Sequence, residues 1–202
     1  MIFKHAIESL PEDRRPLLTA LYTQFERQHG DKAGIESVTL ARRRKQYEEK
    51  VTETPNDYDL WFDYTRLEES SGALEQIRDV YERAIANVPP TLEKRHWRRY
   101  IYLWLYYALF EETQAQDIER ARQVYKQCLK IVPHKHFTFA KVWLLYARFE
   151  IRRDSIATAR KILGTALGKC PKDKLYKAYI ELEIEVLFLQ AKSGTEKLKV
   201  EL

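Results

Sequence analysis

Residues 61–89, WFDYTRLEESSGALEQIRDVYERAIANVP, contain the pattern that decides the fold of this chain. Its first part places Trp61, Tyr64, Leu67 and Glu68 at offsets of 0, 3, 6 and 7. At about 100° per residue these positions fall within roughly 120° of one another on an α-helix. The spacing therefore predicts an amphipathic helix with an aromatic stripe, which we call helix A.

A second helix follows in the same stretch. Arg78, Tyr81 and Ile85 have offsets of 0, 3 and 7 and share a face within roughly 60°. Pro89 ends this helix, because proline lacks the backbone N–H for a further turn and disfavours helical geometry in the residue before it. Gly72 lies between the two helices, where glycine is favoured. The stretch thus predicts a helix pair, A followed by B.

The pair recurs along the chain. Prolines at positions 11, 55, 89, 133 and 171 are separated by 44, 34, 44 and 38 residues, which are periods typical of stacked helix pairs. Gly30 and Gly34 are predicted to lie in the turn of an earlier pair, whose helix A lacks the tryptophan. The later copies supply the predicted structural repeat positions Trp104, Tyr107, Glu111, Arg122, Tyr125, Pro133, Trp143, Tyr146, Glu150, Arg160 and Pro171.

One helix pair cannot bury an aromatic stripe alone, whereas stacked pairs bury it between neighbours. The sequence therefore predicts an all-α fold, an α-α superhelix (solenoid) of antiparallel helix pairs over residues 1–185. The first arginine of the repeat would precede Met1, so we expect the chain to be an interior fragment. The predicted ranges are 1–11 (end of a helix B), 12–55, 56–89, 90–133, 134–171, 172–185 (a further helix A) and 186–202 (an atypical C-terminal tail).

The composition of the chain argues against several classes of protein. Six glycines and seven prolines beside 32% charged residues leave little material for β-sandwich turns or phosphate loops. No run of eighteen apolar residues and no secretory leader are present, so we expect an intracellular chain with no membrane contact. The formal net charge of +5 permits contact with RNA or acidic proteins without requiring it.

The residues most often used in catalysis have structural explanations in this chain. Cys128 and Cys170 fall at packing positions of the repeat, where cysteine behaves as a small apolar residue. His134 and His136 have no further ligand at a zinc-like spacing. Adjacent carboxylates of helix A point about 100° apart and do not converge on one atom. We predict no enzyme, no catalytic, metal or cofactor site, and no small-molecule substrate.

The recurring charged residues are expected to be paired. They lie inside apolar stripes, where an unpaired charge would be costly. We expect them to contact one another or the backbone, within or between helix pairs. The residues concerned are Glu68, Glu111, Glu150, Arg78, Arg122 and Arg160.

Two basic clusters are candidates for partner contact. One is residues 42–45, and the other lies in what reads as the longest insertion between repeats. The second combines cations with an aromatic side chain, which suits phosphate contact and base stacking. Contact with an acidic protein and a merely solvated face are the alternatives. The candidate contact residues are Lys94, Arg95, Trp97, Arg98 and Arg99.

The repeat resembles a known family. Trp-x-x-Tyr-x-x-[Leu/Phe]-Glu followed by Arg-x-x-Tyr-x-x-[Ala/Cys]-[Ile/Leu]-x-x-x-Pro is similar to the half-a-tetratricopeptide (HAT) repeat of RNA-processing proteins. Residues 80–90, 93–97 and 100–104 resemble the crooked neck-like family. That resemblance implies a nuclear, non-catalytic scaffold of the spliceosome. Its implied partners are proteins of the nineteen complex. Contact with RNA is possible, and we expect it to be indirect.

Two other functions remain open from the sequence. A HAT scaffold of another RNA-processing complex, in 3′-end cleavage or rRNA processing, would have the same fold. A solenoid that binds RNA directly would instead show an affinity that falls steeply with salt.

Overall fold

A computed structural model describes the backbone of residues 2–11, 14–30, 32–71 and 73–200. In these ranges the chain is all-α, without strands. None of its helices is both long enough and apolar enough to cross a membrane, within the same ranges. The helices are α1 Ile2–Ser9, α2 Arg15–His29, α3 Lys32–Glu53, α4 Tyr58–Ser71, α5 Leu74–Ala86, α6 Lys94–Thr113, α7 Ile118–Ile131, α8 Ala140–Arg152, α9 Ile156–Lys169 and α10 Asp173–Val200.

The helices form two compact units, residues 1–88 and 89–202. In the first unit, helices adjacent in sequence pack on one another from α1 to α5. In the second unit the same holds from α6 to α10, and α10 also packs on α8. Even-numbered helices occupy the predicted A positions and odd-numbered helices the predicted B positions. Each unit is therefore a stack of helix pairs, the arrangement expected of a solenoid.

Prolines follow the ends of all five helices B in the described part of the chain. The last helical residues are Ser9, Glu53, Ala86, Ile131 and Lys169, two or three residues before the prolines at 11, 55, 89, 133 and 171. This agrees with the loss of the N–H donor and the constraint on the preceding residue.

Two of the turns from helix A to helix B contain a residue other than glycine in left-handed geometry. Gln116 has φ of 56° and Asp154 has φ of 55°. Gly30 ends α2 through its N–H, which donates to the carbonyl of Glu26 at 2.8 Å. The prediction for Gly34 is wrong, because α3 begins at Lys32 and includes it. Gly72 lies outside the described residues.

The C-terminal helix differs from the predicted organisation. The sequence predicts a helix A over residues 172–185 and an atypical tail over residues 186–202. α10 instead continues without a break to Val200. No proline occurs between Asp173 and Val200 to end the helix, and the segment contains many Leu, Lys, Glu and Ala residues, which are good helix formers.

Candidate interaction surfaces

Arginine–glutamate pairs join helix B of one pair to helix A of the next. Arg44 of α3 donates from Nε and Nη2 to the two carboxylate oxygens of Glu68 of α4, at 2.6 and 2.8 Å. Arg122 of α7 does the same to Glu150 of α8, at 2.7 and 3.0 Å. Bidentate pairs of this kind fix orientation as well as distance. We call them the Arg–Glu clamps.

A third clamp has the same hydrogen-bond geometry but is more exposed to solvent. Arg160 of α9 donates to Glu183 of α10 through Nε and Nη2, both at 2.7 Å. The side chains are 40% and 33% exposed, whereas Glu150 is fully buried. The hydrogen bond to Arg160 lowers the pKa of Glu183, and the corresponding bond to Glu68 raises the pKa of Arg44.

The remaining predicted charged residues also face partners. Glu111 is fully buried, and the Nε of Arg120 lies 3.5 Å from its Oε1. Arg78 donates from Nη1 to Oε1 of Glu75 on the same helix, at 3.1 Å. The recurring charges thus serve contacts between or within helices.

Stacked tyrosines accompany two clamps. The rings of Tyr47 and Tyr64 stack at 5.6 Å between centroids with 9° between planes, across α3 and α4. Tyr125 and Tyr146 repeat this across α7 and α8, at 5.1 Å and 12°. Burial raises the pKa of both Tyr125 and Tyr146 to about 12.

Two bidentate pairs were not found from the sequence. Arg152 of α8 holds Glu112 of α6, with bonds of 2.8 and 2.6 Å. Arg83 of α5 holds Glu48 of α3, at 3.0 and 2.6 Å. Neither pair recurs at a fixed distance from the prolines, so the repeat pattern contains no signal for them.

The adjacent carboxylates of α4 point to different partners. Glu68 accepts from Arg44, while Glu69 accepts from the hydroxyl of Tyr81 at 2.5 Å. They do not face one substrate atom, so the pair lacks the geometry for acid–base catalysis.

Both cysteines lie in the core. Cys128 is 1% exposed and Cys170 is 2% exposed. Burial raises the pKa of the Cys128 thiol, which disfavours the reactive thiolate. His134 uses Nε2 in a 2.8 Å hydrogen bond with the carbonyl of Leu129. Across the described residues, no three or more His, Cys, Asp or Glu side chains gather as they would around a metal ion.

The predicted insertion around Trp97 is helical. It forms the first two turns of α6, and Trp97 is buried, with 4% of its surface exposed. Its indole N–H donates to the carbonyl of Thr91 at 2.8 Å, just as Trp61 donates to the carbonyl of Pro55 six residues upstream. The prediction that Trp97 takes part in a contact surface is therefore wrong. The additional helical turns of α6 place a second tryptophan in the core.

The cations around Trp97 remain at the surface, with Lys94, Arg95, Arg98 and Arg99 all exposed. Arg95 pairs with Glu93 at 2.8 Å. We call these four residues the α6 basic cluster.

Further along α6, Tyr102 meets a lysine from α8. The Nζ of Lys141 lies 3.1 Å from the Tyr102 hydroxyl and 4.5 Å from its ring centroid. The hydrogen bond from Lys141, with a smaller effect of Arg98, lowers the pKa of Tyr102. Lys141 and Arg98 of the α6 basic cluster thus both lie close to the Tyr102 hydroxyl.

Comparison with known proteins places these features in a family. Residues 43–194 match the family model described as pre-mRNA-splicing factor Syf1/CNRKL1 N-terminal HAT repeat. The chain is 56% identical over 197 residues to the pre-mRNA-splicing factor CLF1 of Paracoccidioides brasiliensis, covering 97% of this chain and 29% of that protein. It is 56% identical over 186 residues to protein crooked neck of Drosophila melanogaster, covering 92% and 26%.

Human crooked neck-like protein 1 is 60% identical over 165 residues, which cover 82% of this chain and 20% of the human protein. The chain thus spans less than a third of the length of these relatives. The family match extends over more than half of the chain. The chain therefore belongs to the Syf1/crooked neck-like family of HAT-repeat pre-mRNA-splicing factors.

Proposed function

We propose that the chain is a non-catalytic scaffold in the nucleus that supports spliceosome assembly and pre-mRNA splicing through protein–protein contacts. The main support is the use of its buried charges: each buried carboxylate in the described residues lies against an arginine of the same unit. These are Glu68, Glu111, Glu112 and Glu150. The charges stabilise stacked helices, and the outer faces are left for partners. The relatives carry the names of splicing factors.

We propose proteins of the nineteen complex as the partners, with RNA contacted indirectly through them. Affinity purification of the tagged chain from nuclear extract, with and without ribonuclease, tests both points. We expect spliceosomal proteins to remain bound after ribonuclease treatment. Recovery of polyadenylation or nucleolar proteins in their place would support a scaffold of another RNA-processing complex and overturn this proposal.

Direct RNA binding is the second candidate function, and the α6 basic cluster is the observation that favours it. Anisotropy with a labelled single-stranded RNA over a range of salt would measure it, because phosphate contacts make affinity strongly salt-dependent. Replacing Arg95, Arg98 and Arg99 with alanine should then weaken both RNA binding and its salt dependence. If partner and RNA binding are unchanged, the cluster is only a solvated face.

A further inference from the structure

A groove of about 520 Å³ lies between α3 and α4. We call it the α3–α4 groove. The residues from each helix have offsets of 0, 3, 4 and 7, so each set forms one stripe along its helix. The lining residues are Arg43, Gln46, Tyr47 and Lys50 from α3, and Asp63, Arg66, Leu67 and Ser70 from α4.

The α3 side of this groove is polar where the other helices B are apolar. Twelve, nine and five residues before Pro55 stand Arg43, Gln46 and Lys50, all exposed. The residues at the same distances before the later prolines are at most 8% exposed. They are Ile77, Val80 and Ala84 in α5, Ala121, Val124 and Cys128 in α7, and Ala159, Ile162 and Ala166 in α9.

In α7 this face packs against the helix A of its own pair, since Cys128 lies beside Tyr100 of α6. The α3–α4 groove, by contrast, is lined by α3 and α4 alone, without a contribution from α2. A face that another helix covers in a later pair is therefore open along α3. Its lining is mostly polar, unlike the same face of the later helices B.

The charges of the groove are available to a ligand. Among the described residues, Arg43, Lys50, Arg66 and Asp63 form no hydrogen bond or ion pair through their side chains. The neighbouring Arg44, in contrast, is held by Glu68. Three cations against one carboxylate give the groove a net positive charge.

Between these charges the floor is apolar. Leu67 is 8% exposed, and Tyr47 is half-buried where it stacks on Tyr64. The groove thus offers both ion pairing and apolar contact, the combination that an amphipathic helix in a groove requires.

We propose that the α3–α4 groove docks an acidic amphipathic helix of a partner protein. Acidic side chains of this helix pair with Arg43, Lys50 and Arg66, and an apolar side chain packs on the floor. Asp63 favours a helix with one basic residue over a nucleic acid, because its carboxylate would repel phosphates. The inference rests on the proposed scaffold function and names the chemistry of one partner.

Photo-crosslinking can identify the occupant. The full chain carrying Gln46→p-benzoylphenylalanine is irradiated in nuclear extract, and the crosslinked peptide is sequenced by mass spectrometry. We expect an acidic segment with an apolar stripe at helical spacing. A fluorescent synthetic copy of that segment then gives Kd by anisotropy.

Charge reversal tests the contacts with that synthetic peptide. Arg43→Glu with Arg66→Glu should raise Kd at least roughly tenfold, since it replaces attraction with repulsion. The matched control, Arg42→Glu with Lys45→Glu on the same exposed segment, should leave Kd within about twofold. Circular dichroism checks that both variants remain folded, and the milder pair Arg43→Gln with Arg66→Gln should give an intermediate Kd.

Several outcomes would overturn the proposal. These are the absence of a crosslink, a crosslink to RNA or to a basic segment, or the same Kd in the groove and control variants. If one of those outcomes occurs and the groove variant, Arg43→Glu with Arg66→Glu, still recovers spliceosomal proteins from extract, only the groove proposal fails. If the unmodified chain recovers no spliceosomal protein, the proposed function itself is wrong.

Discussion

At the scale of single residues, the three Arg–Glu clamps show how burial changes the contribution to stability of the same bidentate hydrogen bonds. All three pair Nε and Nη2 of an arginine with both oxygens of a glutamate. Glu150 is fully buried, whereas Glu183 is a third exposed. When a buried carboxylate loses its partner, water cannot solvate its charge. When an exposed carboxylate loses its partner, water solvates it, so the loss in stability is small.

The buried clamp should accordingly be the more sensitive one. Arg122→Met leaves the Glu150 carboxylate buried without its partner, and we expect it to lower the free energy of unfolding by about 3–5 kcal/mol. Arg160→Met removes the same bonds at the exposed clamp and should cost much less. Urea denaturation followed by circular dichroism measures both. Equal losses would contradict the dependence on burial, and adding Glu150→Leu to Arg122→Met should recover much of the loss.

The Cys128 thiol offers a second test at this scale. Because burial raises its pKa, we expect no reaction with a disulfide reagent at pH 8 in the folded chain and full reaction in urea. The Cys170→Ala background isolates the signal of Cys128. Fast labelling without denaturant would show that the thiol is open to solvent.

At the scale of helices and turns, two of the short A-to-B connections hold a residue other than glycine in left-handed geometry. Gln116 and Asp154 each precede the first helical residue of helix B by two positions. Gly72 stands at the same position before α5 in sequence. Asp117, next to Gln116, then caps α7 by accepting from the backbone N–H of Arg120 at 3.0 Å.

Gln116→Gly should therefore stabilise the second unit. A residue other than glycine in left-handed geometry costs about 1–2 kcal/mol of folding free energy. Glycine avoids this cost, but part of the gain is lost because glycine has more conformational freedom in the unfolded chain. We expect a net gain below about 1 kcal/mol, seen as a higher melting temperature by calorimetry. Asp154→Gly should gain less, because aspartate tolerates this region better than glutamine. A fall in melting temperature in both variants would indicate that the turn is unstrained.

At the scale of the whole molecule, aromatic burial links stability to pH. Tyr100, Tyr125 and Tyr146 are all at most 4% exposed, and burial raises their pKa values to about 12. An unfolded tyrosine has a pKa of about 10. Between these values the unfolded chain loses phenolic protons that the folded chain retains, so stability falls as pH rises.

We thus expect the contribution of these rings to be complete below pH 10 and to be lost as pH rises towards 12. Melting temperatures at pH 8, 9.5 and 11 measure the slope. The double variant Tyr125→Phe with Tyr146→Phe removes two of the ionising groups and should show a shallower decline. An unchanged slope would mean that other groups dominate at high pH.

The sequence by itself determined the repeating architecture. Offsets of 3 and 4 residues fix which side chains share a helix face, and a proline constrains backbone geometry wherever it occurs, so helices A and B and the ends of the B helices follow locally. The match to a HAT-repeat splicing-factor family agrees with that pattern.

Only the tertiary structure decided the partners and the exposed surface. The inclusion of Gly34 in α3, the unbroken α10 and the burial of Trp97 depend on how long each helix runs, and nearby propensity does not fix that. The pairs of Glu48 with Arg83 and of Glu112 with Arg152 join residues 35 and 40 positions apart. The α3–α4 groove likewise opens where one face of α3 is left exposed. Such features depend on packing between segments that are distant in sequence, and a local sequence pattern does not specify that packing.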